Sequence, residues 1–227
     1  MSHPFYHAQS AARHWGGEWR DYIAIEQWFD QTKSHLADCR HRLVLHNDFG
    51  IDLCQAVFGA DLARASDGGV VPVQDIAERH IREDFAERVP TLAECLADLP
   101  APDGQAGGSA AEALRRRFGG MADDYADLEA WFARPERFSP QPWAGLVIRN
   151  SFGIYLCEQT FGPVAERPSD GKVLPTRLLA EYYVNHRQRG RIPSLNEVVQ
   201  RIPMRGWRCS GARPLSRLLA SESSVVE

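Results

Sequence analysis

Four residues in the first half of the chain, His35, Asp38, Arg42 and His46, are spaced 3, 4 and 4 apart. At about 100° per residue in a helix they fall within about 80° of one another and share one face. Cys39 lies beside them, and His41 points about 60° off the edge of that face. His3, His7 and His14 lie within about 40° on an earlier helix, with His3 acting more as a cap because Pro4 follows it. Further on, His80, Glu83, Asp84 and Glu87 share a face, and His80 and Asp84 have the i, i+4 spacing that lets two side chains hold one ion. Imidazole with carboxylate suits divalent Zn, Fe or Mn, and helical bundles build such sites from facing helices. The candidate metal ligands are therefore His35, His46, His80, Asp84, Asp38, His3 and His7. Three protein ligands with an open position would activate water as a Lewis acid. Arg42 argues for a bound carboxylate or phosphate, because a guanidinium crowds a cation and pairs with anions. An ordinary i, i+4 ion pair between Asp38 and Arg42 is the structural alternative.

The elements that must position these residues are mostly helical. A first helix spans about Pro4 to His14, with Pro4 in its first turn and Gly16-Gly17 ending it. Asp21 to Asp30 carries apolar residues at Tyr22, Ile25, Trp28 and Phe29, the pattern of an amphipathic helix. One long helix is expected from Thr32 toward Phe58, closed by Gly59. Asp67-Gly68 marks a small β-hairpin, helix resumes from Gln74 to Glu87, and Thr91 with Glu94 forms a capping box.

The chain then repeats itself. Residues 14–100 align without a gap on 117–203, and 30 of the 87 positions are identical. This is a tandem duplication. It divides the chain into a His-rich first repeat (1–100), a Gly/Ala/Ser-rich linker (101–113), a degenerate second repeat (114–205) and a tail (206–227). Trp28/Trp131, Phe29/Phe132, Phe49/Phe152, Ile51/Ile154, Leu53/Leu156, Cys54/Cys157 and Phe58/Phe161 recur and read as core. Gly50/Gly153 recur inside a helix at a cost of about 1 kcal/mol against Ala, which implies the close approach of another backbone. The polar set does not recur: His35 becomes Phe138, Asp38 Gln141, His41 Ala144, Arg42 Gly145, His46 Arg149, His80 Tyr183 and Asp84 Arg187. The fold manages without them.

Composition bounds the rest. With 44% hydrophobic and 25% charged residues the chain is an ordinary folded protein, and its formal charge of −4 gives no drive toward nucleic acid. No stretch approaches a membrane span or a signal peptide, so a cytoplasmic protein is expected. Five cysteines without a C-x-x-C pair suggest reduced thiols. P-loop, dinucleotide-binding and nucleophile-elbow motifs are absent.

The first repeat, through "HPFYHA", "CRHR" followed by His46, the Asp67-Gly68 loop and "ERHIRED", resembles a small bacterial and phage domain family of unknown function. The matching positions are His3, Pro4, Phe5, His7, Ala8, Arg40 to Arg42, His46, Glu78, His80, Glu83 and Asp84. The second repeat resembles it only in scaffold. The resemblance implies single-repeat members that pair as homodimers, so that this chain would be an intramolecular pseudo-dimer. Sequence thus predicts a mainly α fold of two tandem small helical domains, each with a short β-hairpin. The first would carry a His/carboxylate transition-metal site, as in a metal-dependent hydrolytic or oxidative enzyme. The alternative is a non-enzymatic module binding a protein partner or an anionic small molecule through Arg40, Arg42 and the histidines.

Overall fold

The computed structural model describes residues 3–36, 39–97 and 109–201. In the first repeat α1 (Pro4–Trp15) and α2 (Trp19–Asp30) form an antiparallel pair. Two 3₁₀ turns (Gln31–Ser34 and Cys39–His41) and α3 (Arg42–Leu45) lead to α4 (Asp48–Phe58). The hairpin β1 (Asp61–Ala63) and β2 (Val70–Pro72) follows, paired Leu62 to Val71, then α5 (Val73–Asp84) and α6 (Leu92–Leu96). The second repeat retraces this path through α7 (Ala110–Phe118), α8 (Ala126–Ala133), α9 (Ser151–Phe161), β3 (Val164–Glu166), β4 (Val173–Pro175), α10 (Thr176–Arg187) and α11 (Leu195–Gln200). The fold is mainly α with minor β, in two tandem copies, as the sequence predicts. Among the described residues no helix is long and apolar enough to cross a membrane. The tail and most of the linker stretch lie outside the described residues.

Residues identical between the repeats hold the frame. Tyr22 donates its hydroxyl to the Gly16 carbonyl (2.8 Å) and Tyr125 to that of Gly119 (2.9 Å), pinning each first helix to its second. Arg64 donates to the Trp15 carbonyl, and Arg167 to that of Phe118 (2.6 Å), which ties each hairpin to the end of the first helix. Asp21 accepts from Ser66, and Asp124 from Ser169, so the Asp-Gly turns are fastened too. Capping boxes at Thr91/Glu94 and Ser194/Glu197 start α6 and α11 as expected.

The long helix expected from Thr32 to Phe58 is not continuous. Asn47 takes an extended backbone and begins a new helix, accepting from the Gly50 amide (3.1 Å) while its Nδ2 donates to the Leu43 carbonyl (2.6 Å). Such a cap satisfies amides that a helix start would otherwise orphan. Asn150 does the same in the second repeat. The sharp corner brings backbone against backbone: a Cβ on Gly50 would lie 1.9 Å from the Leu45 carbonyl oxygen, and one on Gly153 would lie 1.7 Å from that of Ile148. That is the close approach the two glycines imply.

The buried apolar side chains of both repeats form one continuous cluster, including Trp28, Phe29, Phe49, Leu53, Cys54 and their second-repeat counterparts. Phe58 is only half-buried and Phe161 is 38% exposed, so this pair is not core. Burial pushes the Cys157 thiol up to about 12, in keeping with a small hydrophobe. Cys54, Cys95 and Cys157 are free, but Cys39 is disulfide-bonded, against the expectation of five reduced thiols.

The repeats pack across α4 and α9. Phe49 meets Phe138 (5.5 Å between centroids) and His35 meets Phe152 (5.4 Å). A shift of 103 residues carries each contact onto the other, because His35 aligns with Phe138 and Phe49 with Phe152. That reciprocity is the signature of an isologous, two-fold interface, so the chain is an intramolecular pseudo-dimer of its repeats. Trp28 Nε1 donates to Gln159 Oε1 (3.3 Å) across the same boundary, and Arg134 pairs with Asp52 (3.4 Å).

Candidate metal centre

Four pieces of the first repeat aim polar groups at one point beside Phe29. α1 carries His7, and α2 carries Glu26 and Asp30. The turn and short helix after Cys39 carry His41 and Arg42, and His46 sits at the corner before α4. On α5, His80 and Asp84 lie on the same buried stripe as Ile76, Ala77 and Ile81, with Glu83 at its edge. All of these residues but Glu83 are at most 8% exposed.

The contacts are close. His7 Nδ1 meets Glu83 Oε2 at 2.7 Å, and Ser10 donates to the other Glu83 oxygen (2.6 Å). His80 Nδ1 meets Glu26 Oε2 at 2.5 Å, and its ring stacks on Phe29 (4.7 Å, 20°). The inner nitrogens then face each other and the aspartates. His80 Nε2 lies 3.2 Å from His46 Nε2, which is 3.5 Å from Asp84 Oδ2 and 3.8 Å from Asp30 Oδ1. His7 Nε2 lies 3.6 Å from Asp84 Oδ1. Arg42 Nη2 donates to Asp84 Oδ2 (2.6 Å), and Lys33 Nζ pairs with Asp30 Oδ2 (2.5 Å).

Electrostatics follow from these neighbours. Burial opposes a charge on His7, but the adjacent Asp84 carboxylate and the bond to Glu83 outweigh that and raise it to about 9. Burial, and then the adjacent His80, push His46 well below its usual range. Burial would raise Asp84, but the neighbouring His7 and the Arg42 guanidinium hold it well below the carboxylate range. In the metal-free arrangement His46 is neutral, the protonation state a metal requires, whereas His7 carries a proton that a bound metal would displace. His7, His80 and Asp84 offer donor atoms all within 4.8 Å of one another, and so do Asp30, His41 and His46.

Residues 2–103 and 108–208 each match the family model described as a domain of unknown function (DUF6915). The chain belongs to this family. Its two copies coincide with the duplication read from the sequence. No curated protein and no solved structure matches the chain.

The second copy of the family domain replaces every one of the metal-donor candidates. His7 becomes Ala110, Asp30 Ala133, His41 Ala144, His46 Arg149, His80 Tyr183 and Asp84 Arg187. Tyr183 stacks on Phe132 (4.5 Å, 10°) as His80 does on Phe29, so the frame of the site survives. Arg149, 2% exposed, bonds Glu136 (2.5 Å), and a Cβ on Gly145 would lie 2.4 Å from its Nη1. Glycine in place of Arg42 therefore makes room for a built-in cation in the second copy.

Of the sequence-predicted ligands, the structure brings His7, His46, His80 and Asp84 together, with Arg42 on Asp84. His3 is elsewhere: its Nδ1 caps α1 by accepting from the Phe5 amide (3.2 Å). His35 is also elsewhere, because the chain turns before Arg42 and leaves it exposed against Phe152. Asp38 lies outside the described residues. Sequence reasoning missed Glu26 and Asp30, which sit on α2, and placed His41 off the face. Their signal was available for Asp30 and His41, since both become alanine in the second copy. Glu26 is retained as Glu129, and so gave none.

Proposed function

We propose that the first repeat holds a divalent transition metal, Zn, Fe or Mn, through Nε2 of His7, His46 and His80 and the carboxylate of Asp84. One observation carries this reading: the donor separations of 3.2, 3.5 and 3.6 Å. Two ligands at about 2.1 Å from one ion are about 3.4 Å apart across a tetrahedral angle, so His80 and His46, His46 and Asp84 Oδ2, and Asp84 Oδ1 and His7 each stand at the spacing of ligands that share an ion. The outer nitrogens of His7 and His80 rest on Glu83 and Glu26, the carboxylate–histidine pairing that orients metal ligands. His7 Nε2 is buried without a hydrogen-bond partner, which an ion would satisfy. Arg42 then serves the site by orienting Asp84 rather than by binding an anionic ligand.

A bound cation would supply Lewis-acid activation of water or an oxidative step, and the reading is of a metal-dependent enzyme. A cleft of about 300 Å³ between His14, Trp15, Arg79, Arg82 and Glu83 abuts the centre, with Glu83 both lining it and holding His7. The docking-module alternative is disfavoured because Arg42 and His46 are 4% and 1% exposed and offer a partner nothing to touch. Elemental analysis of the untagged chain tests the proposal. About one equivalent or more of a transition metal is expected, as purified or after titration. Less than about a tenth of an equivalent, with none taken up on titration, overturns it.

A further inference from the structure

We propose that the centre is dinuclear, with Asp84 bridging two divalent transition-metal cations. This rests on the metal reading above, extends it to Asp30 and His41, and assigns His46 with them to the second cation. The two oxygens of Asp84 are shared between two groups of ligands: Oδ1 faces His7 Nε2 at 3.6 Å, and Oδ2 faces His46 Nε2 at 3.5 Å. One group is His7, His80 and Asp84, and the other is Asp30, His41 and His46, each with its donor atoms within 4.8 Å. The groups adjoin, since His46 and His80 are 3.2 Å apart at Nε2. Paired cations in hydrolytic centres sit about 3.5–4 Å apart and are joined by such a carboxylate.

Existing partners leave this possible. A carboxylate oxygen has two lone pairs, so Asp84 Oδ2 can keep Arg42 while meeting an ion. On Asp30, Lys33 takes Oδ2, and Oδ1 faces His46 without a hydrogen-bond partner. Lys33 is 30% exposed, and on the proposed reading it turns outward when a cation takes its place. The duplication gives independent support. Both groups are lost completely and together in the second copy, where Ala110, Tyr183, Arg187, Ala133, Ala144 and Arg149 stand in their places, while the stacked ring on Phe132 remains. Two unrelated polar clusters would not be expected to vanish as one.

The ligand is a pair of divalent cations of the Zn, Mn or Fe class, able to clamp two oxygens of a hydrolysable substrate between them. The test uses the full chain, stripped by chelator, reloaded with Mn²⁺ or Zn²⁺ and desalted. The wild type should retain about two equivalents, while Asp30→Ala and His41→Ala should each retain about one. Alanine already stands at both positions in the second copy, so the frame accepts it. One equivalent in the wild type, or two in both variants, overturns the proposal but leaves a mononuclear centre intact, whereas no metal at all removes both. Electron paramagnetic resonance of the Mn²⁺-loaded wild type gives a reading that needs no variant. A spin-coupled pair is expected, and only the spectrum of isolated Mn²⁺ at saturation overturns the proposal.

Discussion

Gly50→Ala should destabilise the protein although it replaces a helical glycine. An ordinary exposed change of this kind gains about 1 kcal/mol from helix propensity. Here the new Cβ would sit 1.9 Å from the Leu45 carbonyl oxygen, and 2.4 and 2.7 Å from its carbonyl carbon and Cα. Ordinary contact begins at 3.4 Å, so the corner between α3 and α4 must open by about 1.5 Å. All three atoms are main chain, held by the Asn47 cap, and cannot rotate away. Overpacking costs about 1–3 kcal/mol, and a main-chain clash this deep belongs at the upper end, which after the propensity gain leaves a net loss of about 2 kcal/mol and a fall in Tm of about 4–8 °C for a chain of this size. His46 follows Leu45 directly, so the same movement displaces a proposed ligand, and metal affinity should fall about tenfold or more. Gly153→Ala is the control: its clash with the Ile148 oxygen, at 1.7 Å, predicts a similar loss of stability with metal uptake unchanged. Thermal melts and chelator competition on the two variants read both quantities. A rise in Tm for either variant would refute the backbone argument.

Other outcomes follow from the same geometry. Glu26→Gln and Glu83→Gln remove the carboxylates behind His80 and His7, and each should weaken metal binding about 10–100-fold in chelator competition without unfolding the chain. His35→Ala should leave metal uptake unchanged, because His35 contacts Phe152 and not the centre; loss of the metal would contradict its placement. In the metal-free protein His7 is raised from 6.5 to about 9, so the stability it contributes is fully present below about 6.5 and declines as pH rises through about 9. The apo Tm should therefore fall over that window, and His7→Ala, matching Ala110, should flatten the profile. Asp84 is depressed instead, so its contribution is present above the ordinary carboxylate value of 3.8 and is lost as pH falls further, which Asp84→Asn should reveal in acid melts.

Duplication made much of the molecule legible in advance. Residues shared by the repeats, such as Tyr22, Arg64, Ser66 and Asn47, turn out to be frame, each bonded in the same way in both copies. Residues that differ are the polar cluster. Helical periodicity located His80 and Asp84 correctly because α5 is a regular helix. It failed between Asp30 and Asp48, where the Asn47 cap and two 3₁₀ turns replace one long helix. With that helix gone, His35 moves to the boundary between repeats and His41 turns inward. Asp30 and Glu26 reach the centre from α2 through tertiary packing, which spacing along one helix cannot report. The side-chain cap made by His3 is likewise a local bond that competes with any role as a ligand.

Anomalous scattering from crystals of the chain loaded with Zn²⁺ or Mn²⁺ tests the central claim most directly. Nε2 of His7, His46 and His80 and an Asp84 oxygen should each lie within about 2–2.3 Å of a peak at the metal's absorption edge. A map with no peak among these four side chains, or with metal bound only at the surface, would contradict it.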